Sequence, residues 1–476
     1  MSVLAGIIGK QGQDVSPVLL KMIRSSSPIK GDTYGFATSA LVEIHYQLPK
    51  YLSFKSTALT AHKLIKIDYR DSPQPIQLST GTLTSIGRLW DDLDPQILQF
   101  YKKLEGQTLA GLKELLESSG QWISAVLEEE SLLIGRDPSG LIPLYFGEGS
   151  DIIGIASNQK MLYEIGLEAI SVKPGSIVKI TKSGTRTLAF KPILNPSIKQ
   201  VPMDVAVTRF HQLLTTAVQR RCRGIINPTI AFSGGIDSTV LASIIKNSGV
   251  KPHLICVGFE GSPDFEAAES SAEALKLPLT IHMITPDEFE ESLPNILRSI
   301  EEPDPMKVGV ATPLFFATKL SQRKVIFSGN GSDELFGGYA KYSRLYALGP
   351  EVVKEAIFKD TIESYRVNYE RDWKICSDLG TELRLPYADL DLIKWALTIP
   401  IELKLSKNEN DPRKKLLRSL AKELNLPSNI SERLKKSAQY STGTMKTLEK
   451  LAKKNNVSVK DYLIEAFMEA NKNVCR

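Results

Sequence analysis

From Asp204 onward, short apolar runs alternate with amphipathic helices, and that alternation leaves few folds open. "DVAVTRFHQLLTTAVQRR" spaces its apolar residues as a long helix does. "PTIAFSGG" follows as a buried strand, "DSTVLASIIKNS" as a helix, "HLICVGF" as a strand and "FEAAESSAEALK" as a helix. Strands joined through helices lie parallel, with helices covering both faces of the sheet. The expectation is an α/β parallel-sheet domain that becomes mostly helical beyond about Tyr342. The closing stretch from Thr444 reads as two amphipathic helices whose lysines form solvated faces rather than a nucleic-acid patch.

The front of the chain has a different texture. "LAGIIG", "LTSIG", "WISAVLE", "SLLIG" and "SIVKI" have strand character, while "DPQILQFYKKL" and "LAGLKELLESS" have helical spacing. That is an α+β pattern. "KPILNPSIKQVP", with three prolines, reads as a linker. The division expected is residues 1–190, a linker at 191–203, a domain at 204–440 and a helical extension at 441–476. A net charge of +5 over 476 residues gives no sign of a nucleic-acid partner. The four cysteines lack metal-ligand spacing and read as free thiols of a reducing compartment. "MSVLAGIIGKQG" carries no charged leader, and no apolar run approaches the ~20 residues of a membrane helix. The expectation is a cytoplasmic protein with no membrane partner.

Two loops carry the chemistry. In "IAFSGGIDST" a Gly-Gly turn joins a strand to a helix, so backbone N–H groups and the helix start form an anion cradle. The lysine of a Walker loop is missing. The bland alternative is a turn capped by Asp237 and Ser238. The pattern Ser233 to Ser238, SGGxDS, resembles the pyrophosphate loop of ATP pyrophosphatases, which cleave ATP to AMP and pyrophosphate. The second loop is "VIFSGNGSDELFGGY". Its glycines let backbone approach an anion, yet Asp333 and Glu334 would repel that anion unless a cation lies between.

Several segments in order resemble the asparagine synthetase family: "SGGIDST", "VGFEGSPDFEAA", "SGNGSDELFGGY", "TELRLPYADLDL" and "RKKLLRSLAKELNLPSNISERLKKSAQY". The resemblance implies ATP and Mg²⁺ as cofactors and a small carboxylic acid and an amine or ammonia as partners. It implies that Asp237 and Asp333 hold Mg²⁺, and that Ser233, Gly234, Gly235, Ser238, Val257, Ser328 and Gly329 line the nucleotide site. By the same resemblance, Lys435 or its neighbour Lys436 supplies positive charge near the phosphates or the developing oxyanion, and Glu382 is the acid that helps organise the amine step. The implied reaction is carboxylate adenylation followed by attack of the amine.

The front half resembles the same family's glutaminase domain, an N-terminal-nucleophile sandwich, through "HKLIKIDYRDSPQPI", "GRDPSGLIPLYF", "IASNQKML" and "VKPGSIVKI". Its chemistry departs. Ala5 in "LAGII" fills the nucleophile slot, Ile86 in "IGRLWDD" replaces the oxyanion asparagine, Arg88 replaces an acid, and Lys63 replaces the substrate-gripping arginine. Ser2, three residues before the slot, is the remaining candidate nucleophile. No glutaminase activity is expected, and the retained domain is expected to serve as scaffold, for instance in a homodimer.

Asn330 stands where the family has glutamate and its β-lactam-forming relatives have tyrosine. Asparagine cannot act as a base near neutral pH. Three readings remain: amide synthesis with ammonia, ligation of another amine, or a nucleotide-binding pseudoenzyme. Lys307 and Thr312 are candidates for recognising the acid.

Overall fold

The computed structural model of the chain describes residues 2–90, 94–408, 411–432 and 441–472. It divides into two compact units. The first contains residues 1–193 with 377–380, the second the remainder.

The first unit is a sandwich of two antiparallel sheets, one of seven strands and one of six. Strand Val3–Gly9 runs through the middle of the larger sheet, between Ala58–Leu64 and Ile152–Ala156. Alternation sorts its side chains. Ala5 and Ile7 join Leu19, Met22 and Met161 in a core under helices Ser16–Ser25 and Gln159–Tyr163. Gly6 faces the other sheet, where a Cβ would lie 3.1 Å from Leu132. Beneath the smaller sheet, Trp122 meets Phe100 edge to face, with centroids 6.2 Å apart, under helix Gln96–Leu104. The "GRDPSG" segment is a structural turn. Buried Asp137 accepts from the backbone N–H groups of Trp122 (3.0 Å), Ser139 (2.9 Å) and Gly140 (3.0 Å).

The second unit is built on a five-stranded, all-parallel sheet. Its strands stand in the order Leu279–Met283, His253–Gly258, Thr229–Ala231, Val325–Phe327, Glu382–Arg384. In chain order this is 3-2-1-4-5. The direction of winding reverses between the first and fourth strands, and at such a point the loops leaving two neighbouring strands part and open a crevice. The helices begin where their sequences say they should. Thr285 accepts from Glu288 N–H (3.1 Å) ahead of helix Pro286–Ile300, and Asp304 accepts from Lys307 N–H (2.8 Å) ahead of Pro305–Leu320. The closing helices, Thr444–Lys454 and Val459–Lys472, do not stand apart as an extension. They belong to the second unit, where Tyr462 donates to Glu290. No helix of the described residues is long and apolar enough to cross a membrane.

A buried ion pair ties helix Met203–Cys222 to the cap ahead of helix Leu390–Leu397. Arg221 and Asp389, 1% and 2% exposed, meet at 2.7 Å, and Asp389 also accepts from Asp391 N–H at the start of helix Leu390–Leu397. Removing one partner strands the other charge out of water. Asp389→Ala is expected to cost about 3–5 kcal/mol, read as a lowered denaturation midpoint.

Candidate active site

The reversal in strand order puts the two glycine loops side by side. The first leaves strand Thr229–Ala231 and enters helix Ile236–Asn247. Gly234 has φ +65°, and a Cβ there would overlap the Ala267 carbonyl, so only glycine lets the loop press against helix Pro263–Leu275. Ser271 Oγ donates to the Gly234 carbonyl (3.2 Å), and the hydroxyls of Ser238 (3.1 Å) and Thr239 (2.9 Å) donate to that of Gly235. Ser233 Oγ accepts from Gly235 N–H (3.3 Å). Val257 is buried near the carboxyl end of the adjoining strand.

The second loop follows Val325–Phe327. Ser328 N–H donates to the Arg384 carbonyl, and a Cβ on Gly329 would lie 3.1 Å from Asp237 Cβ, so the loops are in contact. Asp237 and Asp333 therefore converge, and Lys414 lies between them. Its Nζ pairs with Asp237 Oδ1 and, at 2.7 Å, with Asp333 Oδ1, and it donates to Ser332 Oγ at 3.1 Å. Ser332 Oγ in turn donates to Asp237 Oδ1 (2.6 Å), and Tyr387 OH to the Asp237 carbonyl (3.1 Å). The lysine is 2% exposed while the two carboxylates keep 17% and 21%, so both acids remain open to a ligand.

Lys414 Nζ marks where a cation shared by the two acids sits. Two carboxylates, completed by phosphate oxygens and water, are the donor set Mg²⁺ takes. The residues present fit that ion. Among the described residues no group of three or more His, Cys, Asp or Glu side chains could hold a metal.

Asn330 faces an acid that sequence reasoning missed. Its Nδ2 donates to Asp372 Oδ2 at 2.6 Å, and its Oδ1 accepts from Gly331 N–H at 2.9 Å. Asp372, 4% exposed, also takes the Arg371 guanidinium at 2.7 Å. Nearby, Glu334 accepts from Asn368 Nδ2 (2.8 Å) and from Tyr339 OH. Burial and the Glu334 charge push the Tyr339 phenol well above its ordinary range.

Two expectations are corrected. Glu382 opens strand Glu382–Arg384 level with Val325, at the end of the sheet away from the loops. Its Oε1 takes the Arg384 guanidinium at 2.6 Å, a buried structural pair. The acid at Asn330 is Asp372. Thr312 is fully buried and spends its hydroxyl on the Val308 carbonyl (2.8 Å). Lys307 is ion-paired with Glu302. Lys435 and Lys436 lie outside the described residues. Lys414, Ser332 and Tyr387 were missed within quoted motifs. Three basic residues in a row, "RKK", gave no sign of which one turns inward.

In the first unit, Ala5 is wholly buried in mid-strand, paired with Ala61 and Ala156. Ile86 is buried, and Arg88 grips both oxygens of Asp71 at 3.1 Å. Lys63 donates to the Ser27 carbonyl (2.9 Å), and burial pushes its ammonium down to about 8. Ser2 is buried, with Oγ accepting from Ile65 N–H at 3.1 Å.

A family model described as asparagine synthase matches residues 209–368 and 356–462. A putative asparagine synthetase (glutamine-hydrolyzing) 1 of Methanocaldococcus jannaschii is 30% identical over 462 residues, which is 84% of this chain and 85% of that protein. Asparagine synthetase (glutamine-hydrolyzing) 2 of Oryza sativa subsp. japonica is 27% identical over 317 residues, 62% of this chain. The match spans 52% of the rice protein's length. Among solved structures, the glutamine phosphoribosylpyrophosphate amidotransferase of B. subtilis has 16% identity and a TM-score of 0.33, covering 59% of this chain and 65% of its own. That likeness is too slight to bear on the chemistry.

Proposed function

This chain belongs to the asparagine synthetase family, and from that premise we propose that it is an ATP-dependent amide-forming ligase that does not draw on glutamine. A carboxylate oxygen attacks the α-phosphorus of ATP, the bond to the β-phosphate breaks, and pyrophosphate leaves an acyl-adenylate. Ammonia or another amine then attacks the acyl carbon, AMP departs, and the amine's proton passes to a base. Bound Mg²⁺ would neutralise phosphate charge between Asp237 and Asp333. The observation that carries this reading is the convergence of those two aspartates on one cation at the reversal point of the parallel sheet.

Asn330 orients the amine through its amide, and Asp372, 2.6 Å away, accepts the proton that asparagine cannot. A second reading, ligation of an amine other than ammonia, is favoured by the same residue, because an amide in place of glutamate removes a negative charge from the amine side of the site. Independence from glutamine rests on the first unit: Ala5 offers no nucleophile, Ile86 no oxyanion donor, and the Ser2 hydroxyl is turned to Ile65.

The test is pyrophosphate release with ATP, Mg²⁺ and ammonium across a panel of carboxylic acids. One acid is expected to stimulate release, and its identity names the substrate. If none does, the protein binds nucleotide without turnover and the ligase reading falls. With the active acid, Asp372→Asn is expected to slow amide formation by about 10²-fold. ATP–pyrophosphate exchange should stay near the wild-type rate. Glutamine in place of ammonium should yield no glutamate.

A further inference from the structure

We infer that Lys414 is the resident counter-cation of the metal site, holding Asp237 and Asp333 together before metal arrives and then turning its charge to the phosphates. This rests on the reading of those aspartates as metal ligands.

Two carboxylates on separate loops repel one another, and at close range in a partly dry site that repulsion would part the loops. Lys414 cancels it. An ammonium has three N–H donors. Here the ammonium donates to Asp237 and Ser332, and its charge lies 2.7 Å from Asp333 Oδ1 as an ion pair. The side chain is 2% exposed, so it is not a surface lysine swinging into a nearby acid.

Its backbone is committed as well. Lys414 has φ +61°, a region a lysine adopts only when its surroundings impose it. The flanking hydrogen bonds do so: Lys415 N–H donates to the Lys404 carbonyl (2.9 Å) and Arg418 N–H to the Lys414 carbonyl (3.0 Å). On the opposite side the chain leaves room for it. A Cβ on Gly338 would overlap both Asp333 Oδ1 and the Lys414 stem. The glycine of "FGGY" and the left-handed lysine thus serve one contact.

The consequence is competition. A metal ion that takes the Oδ1 atoms of the two carboxylates displaces Lys414 from both, and one approaching their other oxygens meets its charge. The displaced ammonium is then freed beside Asp237 of the Gly-Gly loop, where phosphate oxygens would receive it. Metal alone should bind weakly, and metal with nucleotide tightly, because the phosphates give the displaced ammonium a new partner.

The experiment measures Mn²⁺ binding by electron paramagnetic resonance on the full chain, without nucleotide. Lys414→Met is expected to bind Mn²⁺ at least about tenfold tighter than wild type, since the acids lose their internal cation. Adding Asp237→Asn to that variant should return the affinity to the wild-type level or below. Affinity unchanged or weaker in a Lys414→Met protein of wild-type melting temperature overturns the proposal, as does a double variant that stays tight. The wild-type protein gives a separate reading that needs no variant to fold. In ¹⁵N-lysine protein, the hydrogen-bonded ammonium of Lys414 should give a slowly exchanging signal that moves or disappears when Mg²⁺ and α,β-methylene-ATP are added. A signal that stays in place overturns it too. Both readouts are binding measurements, so a protein that splits ATP with no acid would sink the ligase reading and leave them standing.

Discussion

Exchanging Asp333 for asparagine is expected to lower acid-dependent pyrophosphate release by on the order of 10²–10³-fold, and Asp237→Asn to do the same. The size follows from position. Each side chain is one of the two acids that meet the shared cation, and no third acid stands by to replace it among the described residues. Asparagine keeps the shape and loses the charge, so the loops should still close. Melting temperature therefore separates a chemical loss from a structural one. The expected result is a slow protein that melts near the wild type. Undiminished release in both variants would mean that the working centre lies elsewhere.

The second large effect belongs to a residue without a side chain. Gly234→Ala must fit a methyl group where the Ala267 carbonyl already is, at φ +65°. The left-handed backbone alone costs an alanine about 1 kcal/mol. The collision is with main chain, which cannot turn aside as a long side chain can. The sum is expected to reach about 3 kcal/mol or more, seen as a lowered denaturation midpoint together with loss of ATP binding. Gly235→Ala is the control. It has ordinary φ, and the nearest atom to its Cβ is Ser233 Oγ at 3.2 Å, so its stability should fall far less.

The parallel sheet and its first loop could be read from sequence because their signals are local. A β-branched run, two glycines and a helix lie within a dozen residues. Strand Glu382–Arg384 could not, since three residues carry no periodicity. Without that strand, the "TELRLP" motif matches a family but has no place in the sheet, and nothing in it shows that Glu382 lies at the end away from the loops. Asp372 was hidden for another reason. "YERDWKICSD" has the charge density of a solvated helix, yet Arg371, Asp372 and Lys374 are all at most 5% exposed. They are buried as partners, Arg371 with Asp372 and Lys374 with Glu301 at 3.0 Å. Pairing across the fold cannot be seen in composition. The departure of the front half from its family's catalytic residues was legible because the change is chemical: alanine has no nucleophile in any fold.

The parts of the centre are far apart along the chain. Ser332 reaches Asp237 across 95 residues, and Lys414 reaches it across 177. On the ligase reading, the nucleotide site is complete only once strands one and four have docked and the helices after them have returned, because the Gly-Gly loop alone lacks Asp333 and Lys414. Bound nucleotide would then act as a clasp on the completed unit, raising its resistance to unfolding with the logarithm of ligand concentration. A cell rich in ATP would thereby protect finished molecules and offer nothing to those still being made.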